Sequence, residues 1–272
     1  MCTLILGLGV PEPGTLILGA NRDESPERPS AGPSVLSQNP RVVGGRDLVS
    51  GGTWLAVREG RFVAALLNRR PLPGDDRDPS SFRSRGRLCL DLASLRVSGA
   101  DSIDPGTGEP HDPWLAGALR LLRAATYAPC TLVWAGLDGA GWTIQVGDLP
   151  APKVTQMKRG WHVITHRDLD DPGEPRTRWI LEQLRATTPT SVEEALETIR
   201  GLLRGHGDGD VPAVCLHGER FPTVSSSLLA LQPSKPARYL HAPGPPCVTP
   251  YEDDSRLFEP RARAPLTHGE SA

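Results

Sequence analysis

Apolar residues along this chain come in short blocks divided by glycine, proline and charge, and the spacing inside each block predicts its structure. Cys2 to Val10 and Thr15 to Ala20 are aliphatic runs on either side of Pro11-Glu12-Pro13-Gly14, a turn signal, so they predict an antiparallel hairpin. Gly51 to Val57 and Phe62 to Asn68 predict a second hairpin closed by Arg58-Glu59-Gly60-Arg61. Leu88 to Leu95 and Trp114 to Tyr127 carry apolar residues at helical spacing, with Leu115, Ala118, Leu119 and Leu122 to one side and Arg120 and Arg123 away from it. Thr131 to Ala135, Trp142 to Val146 and Trp161 to Thr165 read as strands, then Arg176 to Leu184 and Val192 to Leu203 as helices. Ser191 and Glu194 form a capping-box pattern at the start of the second. Val214 to Leu216, Ser227 to Leu231 and Tyr239-Leu240 supply late strands.

Strands and helices in separate blocks argue against a doubly wound parallel sheet. They predict an α+β protein, a four-layer αββα sandwich of antiparallel sheets covered by helices. Residues 1–259 are expected to form one unit. From Pro260 to the end, 260–272, core-forming residues are scarce and a loose tail is expected.

Composition narrows the function. A formal net charge of −2 gives no electrostatic case for nucleic acid, and no run approaches the ~18 apolar residues of a membrane span. The five cysteines, at 2, 89, 130, 215 and 247, include no C-x-x-C and suggest no disulfide framework, so a reducing, cytoplasmic setting without structural zinc is expected. Cys89, Cys130 and Cys215 lie in apolar runs and read as inert core. His162 and His166 are four apart on a strand, ~13 Å at ~3.3 Å per residue, too far for one metal ion.

Candidate chemistry concentrates at the start. Removal of Met1 would leave Cys2 as a terminal residue carrying both a thiol and an α-amine, and an amine titrating near ~7.7–8.0 is able to accept the thiol proton. If Val10 pairs with Thr15, the register sets Cys2 directly opposite Asp23, Asn21 shares the face of Asp23, and Arg22 and Glu24 point the other way; a one-residue slip would reverse this. The plainer reading makes Cys2 a buried strand residue and Asn21 to Glu24 a polar strand exit. Asn68, at a strand end, is a candidate oxyanion donor or a simple cap. Trp54 is a candidate pocket wall, Arg69-Arg70 a candidate site for a carboxylate or phosphate, and His166 a candidate proton donor or acceptor.

Met1-Cys2-Thr3, Asn21-Arg22-Asp23-Glu24, Gly51-Gly52-Thr53-Trp54-Leu55, Leu67-Asn68-Arg69 and Ser84-Arg85-Gly86, in that order, resemble the NRDE family, the group that includes the transport and Golgi organisation protein 2. That family in turn resembles N-terminal nucleophile (Ntn) hydrolases of the bile-salt and penicillin V acylase type. The resemblance implies the αββα fold, with Cys2 as nucleophile, Asp23 orienting the terminal amine and Asn21 as the matching Asn; on the residues themselves, Asn21 or Asn68 would support the oxyanion. Arg22, Trp54, Arg69 and His166 would line the substrate site. The chain departs from the acylase pattern at Ala20, where their Arg precedes the Asn, at Thr165-His166, where an Asn is expected, and at Val224, where an Arg is expected.

Two functions follow. One is a cofactor-free hydrolase of linear C–N bonds other than peptide bonds, acting on a small amphipathic acylated substrate. The other is a non-catalytic carrier for haem, acyl-CoA or another amphipathic ligand, since family members are associated with haem and lipid handling.

Overall fold

The computed structural model describes residues 2–71, 74–97, 112–147 and 151–259. The first hairpin is β1 (Thr3–Leu8) and β2 (Leu16–Asp23), and β2 continues through Asn21, Arg22 and Asp23 as paired strand. It joins β10 (Gly160–Ile164), β11 (Thr223–Gln232), β12 (Lys235–Ala242) and β13 (Glu252–Asp253) in an antiparallel sheet ordered β10-β1-β2-β11-β12-β13. The second sheet runs β3-β4-β5-β6-β7-β8-β9, comprising Ser30–Gln38, Arg41–Asp47, Leu55–Arg58, Phe62–Asn68, Cys130–Gly136, Gly141–Val146 and Lys153–Gln156.

Alternation along the strands divides the core into three layers. Leu4, Leu6, Leu8, Leu16 and Leu18 of the first sheet meet Val57, Val63, Ala65, Leu67 and Val133 of the second between the sheets. Ile5, Ile17 and Leu228 face outward, against α3 (Pro175–Arg185) and α4 (Val192–Leu203). Ala64, Leu66 and Leu132 face α1 (Arg85–Ser94) and α2 (Pro113–Arg123) on the opposite exterior. The result is the αββα sandwich predicted from block order. At Gly19 a side chain would collide with Ile199 at 2.1 Å, so this glycine lets α4 settle directly on β2.

Ser191 caps α4 by accepting from the Glu194 N–H at 3.1 Å, a contact worth ~1 kcal/mol. The reciprocal half differs from a capping box: the Glu194 carboxylate reaches back to the N–H and hydroxyl of Thr190, at 2.8 and 2.9 Å.

Three further differences from the sequence expectation have physical causes. β3 and β4 form in a stretch with no apolar alternation, because β3 is a bulged edge strand containing Gly32 and Pro33, as edges tolerate. The edge strand β9 (Lys-Val-Thr-Gln) is equally unannounced. Val214 to Leu216 is not a strand: Val214 and Cys215 are buried in a loop and donate their N–H groups to the Gly205 carbonyl. The expected tail, 260–272, lies outside the described residues.

His241, buried on β12, is hydrogen-bonded through Nδ1 to Ser227 Oγ at 3.2 Å and packs beside Gly32 of β3. Burial pushes its pKa down to about 4. Between that value and the ~6.5 of an unfolded histidine the unfolded chain binds the extra proton, so stability rises with pH. Stability from urea melts should therefore fall as pH drops from 6.5 towards 4, and His241→Gln should flatten that slope by close to one proton.

Candidate active site

The observed register of β1 on β2 pairs Thr3 with Asn21 and Leu8 with Leu16. The hairpin is closed by the Gly9 N–H donating to Thr15 C=O at 2.7 Å. Extended one position, this register sets Cys2 opposite Arg22, one residue away from the expected partner Asp23. The slip reassigns the faces relative to Cys2. Cys2 and Arg22 turn towards the second sheet, where Arg22 lies over the Trp54 ring at 4.5 Å. Asn21 and Asp23 turn towards the helices.

Asn21 spends both amide hydrogens there, on the carbonyls of Leu203 and Val214 at 2.9 and 3.0 Å. It ties β2 to the end of α4, and the expected oxyanion role does not suit it. The Asp23 carboxylate accepts from the Thr223 hydroxyl at 2.7 Å and faces the Arg176 guanidinium at 3.7 Å. Arg176, at the start of α3, also donates to Thr3 Oγ1 at 2.9 Å. Burial raises the Asp23 pKa, opposed by Thr223 and Arg176 among others. Thr3, Arg176 and Thr223 escaped the sequence reading because their only signal is convergence in space.

The Cys2 sulfur lies 3.8 Å from the Asp23 carbonyl oxygen. It opens into a cavity of about 500 Å³ whose lining includes Arg22, Glu24, Arg28, Asp47, Trp54, Leu66, Asn68, Phe82, Arg83, Arg85 and Phe221. Burial and the nearby Asp23 charge push the Cys2 thiol up to about 11, so it is protonated at neutral pH and needs a base.

The motifs that contribute to the cavity wall dock backbone to backbone. Thr53 N–H donates to Gly86 C=O at 3.1 Å, and a Cβ on Gly52 would lie 2.2 Å from the Gly86 carbonyl carbon. Only glycine permits Gly51-Gly52-Thr53 and Ser84-Arg85-Gly86 to meet this closely. Trp54 rests on Gly45 by the same logic, since a side chain there would strike its ring at 2.6 Å.

Four arginines and two carboxylates, Glu24 and Asp47, line this cavity. Arg22 is 5% exposed and lies 3.7 Å from Glu24 and 3.9 Å from Asp47. Arg28 donates to Asp47 at 2.7 Å and to Ser50 Oγ at 3.0 Å. Burial opposes the Asp47 charge, yet the Ser50 and Val49 N–H groups and Arg28 hold its pKa below the usual range. Burial lowers the pKa of Arg22 and Arg85, the cost of holding cations in a recess.

Two expected pocket residues lie elsewhere. Arg69 donates to Asp168 at 2.8 Å, in a network with Lys153, and is absent from the cavity lining. Its strand ends before it, and its side chain also donates to Thr131 Oγ1 of β7 at 3.4 Å. His166 also lies off this lining, in the stretch between β10 and α3; burial, then Arg70, pushes its pKa down to about 4. His162 has both ring nitrogens engaged, by Asp170 and by the Lys158 carbonyl, each at 2.7 Å. Cys215, expected as inert core, instead converges with His206, His217 and Cys247.

A family model described as Transport and Golgi organisation 2 matches residues 1–204. The chain belongs to that family. For this member of the transport and Golgi organisation 2 family, every cavity residue except Phe221 falls inside the matched span. No curated protein matches the chain in sequence. Among solved structures, a Caenorhabditis elegans N-acylethanolamine-hydrolyzing acid amidase ortholog is 14% identical with a TM-score of 0.57, covering 84% of this chain and 92% of its own. Penicillin V acylase from Agrobacterium tumefaciens is 11% identical, TM-score 0.55, with coverages of 97% and 90%. A variant of the conjugated bile acid hydrolase from Clostridium perfringens is 11% identical, TM-score 0.56, with coverages of 95% and 94%. At these identities the likeness establishes the Ntn-hydrolase fold. Among the described residues no helix is long and apolar enough to cross a membrane.

Site-resolved alkylation of Cys2, followed by peptide mass spectrometry in protein that retains Met1, should show a midpoint well above the ~8.5 of a free thiol. Asp23→Asn removes a negative charge that opposes the thiolate, and should move that midpoint down.

Proposed function

We propose that this protein is an N-terminal-cysteine amidohydrolase acting on a linear amide whose acyl part is apolar and whose substrate carries an anionic group. The observation that carries this reading is the Cys2 thiol opening into a cavity walled by Trp54, Phe82 and Phe221 and surrounded by more arginines than carboxylates. The fold shared with amide-hydrolysing acylases supports the reaction class.

Removal of Met1 supplies the missing base. The α-amine of Cys2 takes the thiol proton, the thiolate adds to the amide carbonyl, and the resulting oxyanion is met by Asn68. Collapse breaks the C–N bond, with the ammonium returning its proton to the leaving amine. Water then adds to the thioester, releasing the acid and regenerating the thiol. Asp23, held by Thr223 and faced by Arg176, orients the amine and favours its charged form. The reaction requires no cofactor. The surplus arginine charge around the cavity attracts the substrate anion; loss of an oxyanion donor such as Asn68 costs ~2.7–4 kcal/mol of barrier stabilisation in comparable sites. We place the protein in the cytoplasm.

The intact mass of protein from its native host should correspond to a chain lacking Met1, and a thiol-directed acylating probe should add to Cys2. Retention of Met1 removes the base and with it the mechanism.

On a panel of anionic acyl amides, Cys2→Ala should abolish hydrolysis while leaving ligand affinity within about twofold, and Asn68→Ala should lower kcat by ~10²–10³. Absence of turnover in wild type together with tight binding of haem or acyl-CoA would instead establish a carrier.

A further inference from the structure

We propose that His206, Cys215, His217 and Cys247 form a structural zinc site. Their four ligating atoms all lie within 4.8 Å of one another. The separations are 3.5 Å between the two sulfurs, 3.3 Å between the two Nε2 atoms, and 3.2 and 3.8 Å from His217 Nε2 to Cys247 and Cys215. A tetrahedral zinc with Zn–S of ~2.3 Å and Zn–N of ~2.0–2.1 Å has edges of ~3.8 Å between sulfurs, ~3.3 Å between nitrogens and ~3.6 Å between unlike atoms. Four of the six edges thus match a polyhedron of that size to within about 0.4 Å, and the two from His206 to the sulfurs stay within 4.8 Å. Two thiolates and two imidazoles are a closed zinc donor set, and a Cys215–Cys247 disulfide would not require two imidazole nitrogens aimed at the same point.

The backbone holds these donors without help from regular strands. His206 follows the end of α4, and the Gly205 carbonyl accepts from Val214 and Cys215 N–H at 2.9 and 2.8 Å, fixing the two segments together. Cys247 sits in a turn where the Pro245 carbonyl accepts from the N–H groups of Val248 and Thr249. The ligands come from three segments, which is why the sequence shows no paired-cysteine motif. All four lie beyond the span matched by the family model.

Zinc binding would displace the two thiol protons to solvent and clamp the ends of α4 and β12 to the loop that enters β11. That loop continues from His217 to Phe221 on the cavity wall and to Thr223, whose hydroxyl donates to Asp23 and whose N–H and hydroxyl oxygen bond Leu216. The metal would brace the catalytic cavity from outside, with no open coordination position for chemistry.

Elemental analysis of full-length protein, purified anaerobically and re-equilibrated with one equivalent of zinc, should find about one zinc per chain after buffer exchange. Cobalt substitution should give the intense visible absorption of tetrahedral Co²⁺ with thiolate-to-metal charge transfer, and zinc should raise Tm. Cys215→Ser with Cys247→Ser should abolish the charge-transfer band and cut metal content at least ~10-fold; His217→Ala should weaken binding by a similar factor. Should the serine variant fail to fold, the cobalt spectrum of wild type and the His217→Ala affinity, measured by chelator competition, carry the test. Less than a tenth of an equivalent of zinc in wild type, an octahedral cobalt spectrum, or unchanged binding after loss of both thiols would each overturn the site.

Discussion

The register of β1 on β2 is the constraint on which the rest of the site depends. Side chains alternate strictly along a strand, so one hydrogen-bonding step decides which of Asn21, Arg22 and Asp23 shares a compartment with Cys2. The pairing of Thr3 with Asn21 sends Arg22 between the sheets with Cys2, while Asn21 and Asp23 face the helices. Leucines at 4, 6, 8, 16 and 18 lock that choice, because a one-residue shift would exchange the inter-sheet core for the helix-facing layer. Polar chemistry at the end of the hairpin is thereby positioned by apolar burial along its length.

The division of labour around Cys2 follows from these two compartments. On the helix side, Asp23 is surrounded by Thr223 and Arg176, so a buried carboxylate has a defined orientation and a counter-charge. On the cavity side, Arg22 stacks on Trp54, an arrangement worth ~2 kcal/mol when desolvated, and its carboxylate neighbours are shared with Arg28. Gly52 and Gly86 allow the two wall segments to approach at backbone contact distance, so the cavity is bounded by main chain that cannot yield easily.

The bulge in β11 links this centre to the periphery. The register on β2 shifts between Thr223 and Ser225, releasing Thr223 to bond Asp23 and Leu216 together. The segment leading into it, from His206 to Phe221, contributes no strand to either sheet and relies on isolated backbone bonds and on the convergence of its cysteine and histidines. A cation bound there would supply from outside the rigidity that sheet pairing provides elsewhere.

Block order and hydrophobic period sufficed to read the sandwich, its main strands and all four described helices, since burial of apolar faces is written locally at periods of 2 and 3.6. Side-chain chemistry and the family resemblance singled out Cys2, Asn68, Trp54 and Arg22, which line the cavity. Edge strands β3 and β9 were invisible because an edge buries too little apolar surface to leave a pattern, and internal β4 because its buried stretch is only Val42-Val43 followed by two glycines. The role of Asn21, the position of Arg69, the Arg176–Asp23 pairing and the His206, Cys215, His217 and Cys247 cluster depended on tertiary structure alone. Each is a contact across tens to hundreds of residues, made by side chains whose partners are chosen by strand register and loop path, and no local periodicity encodes either.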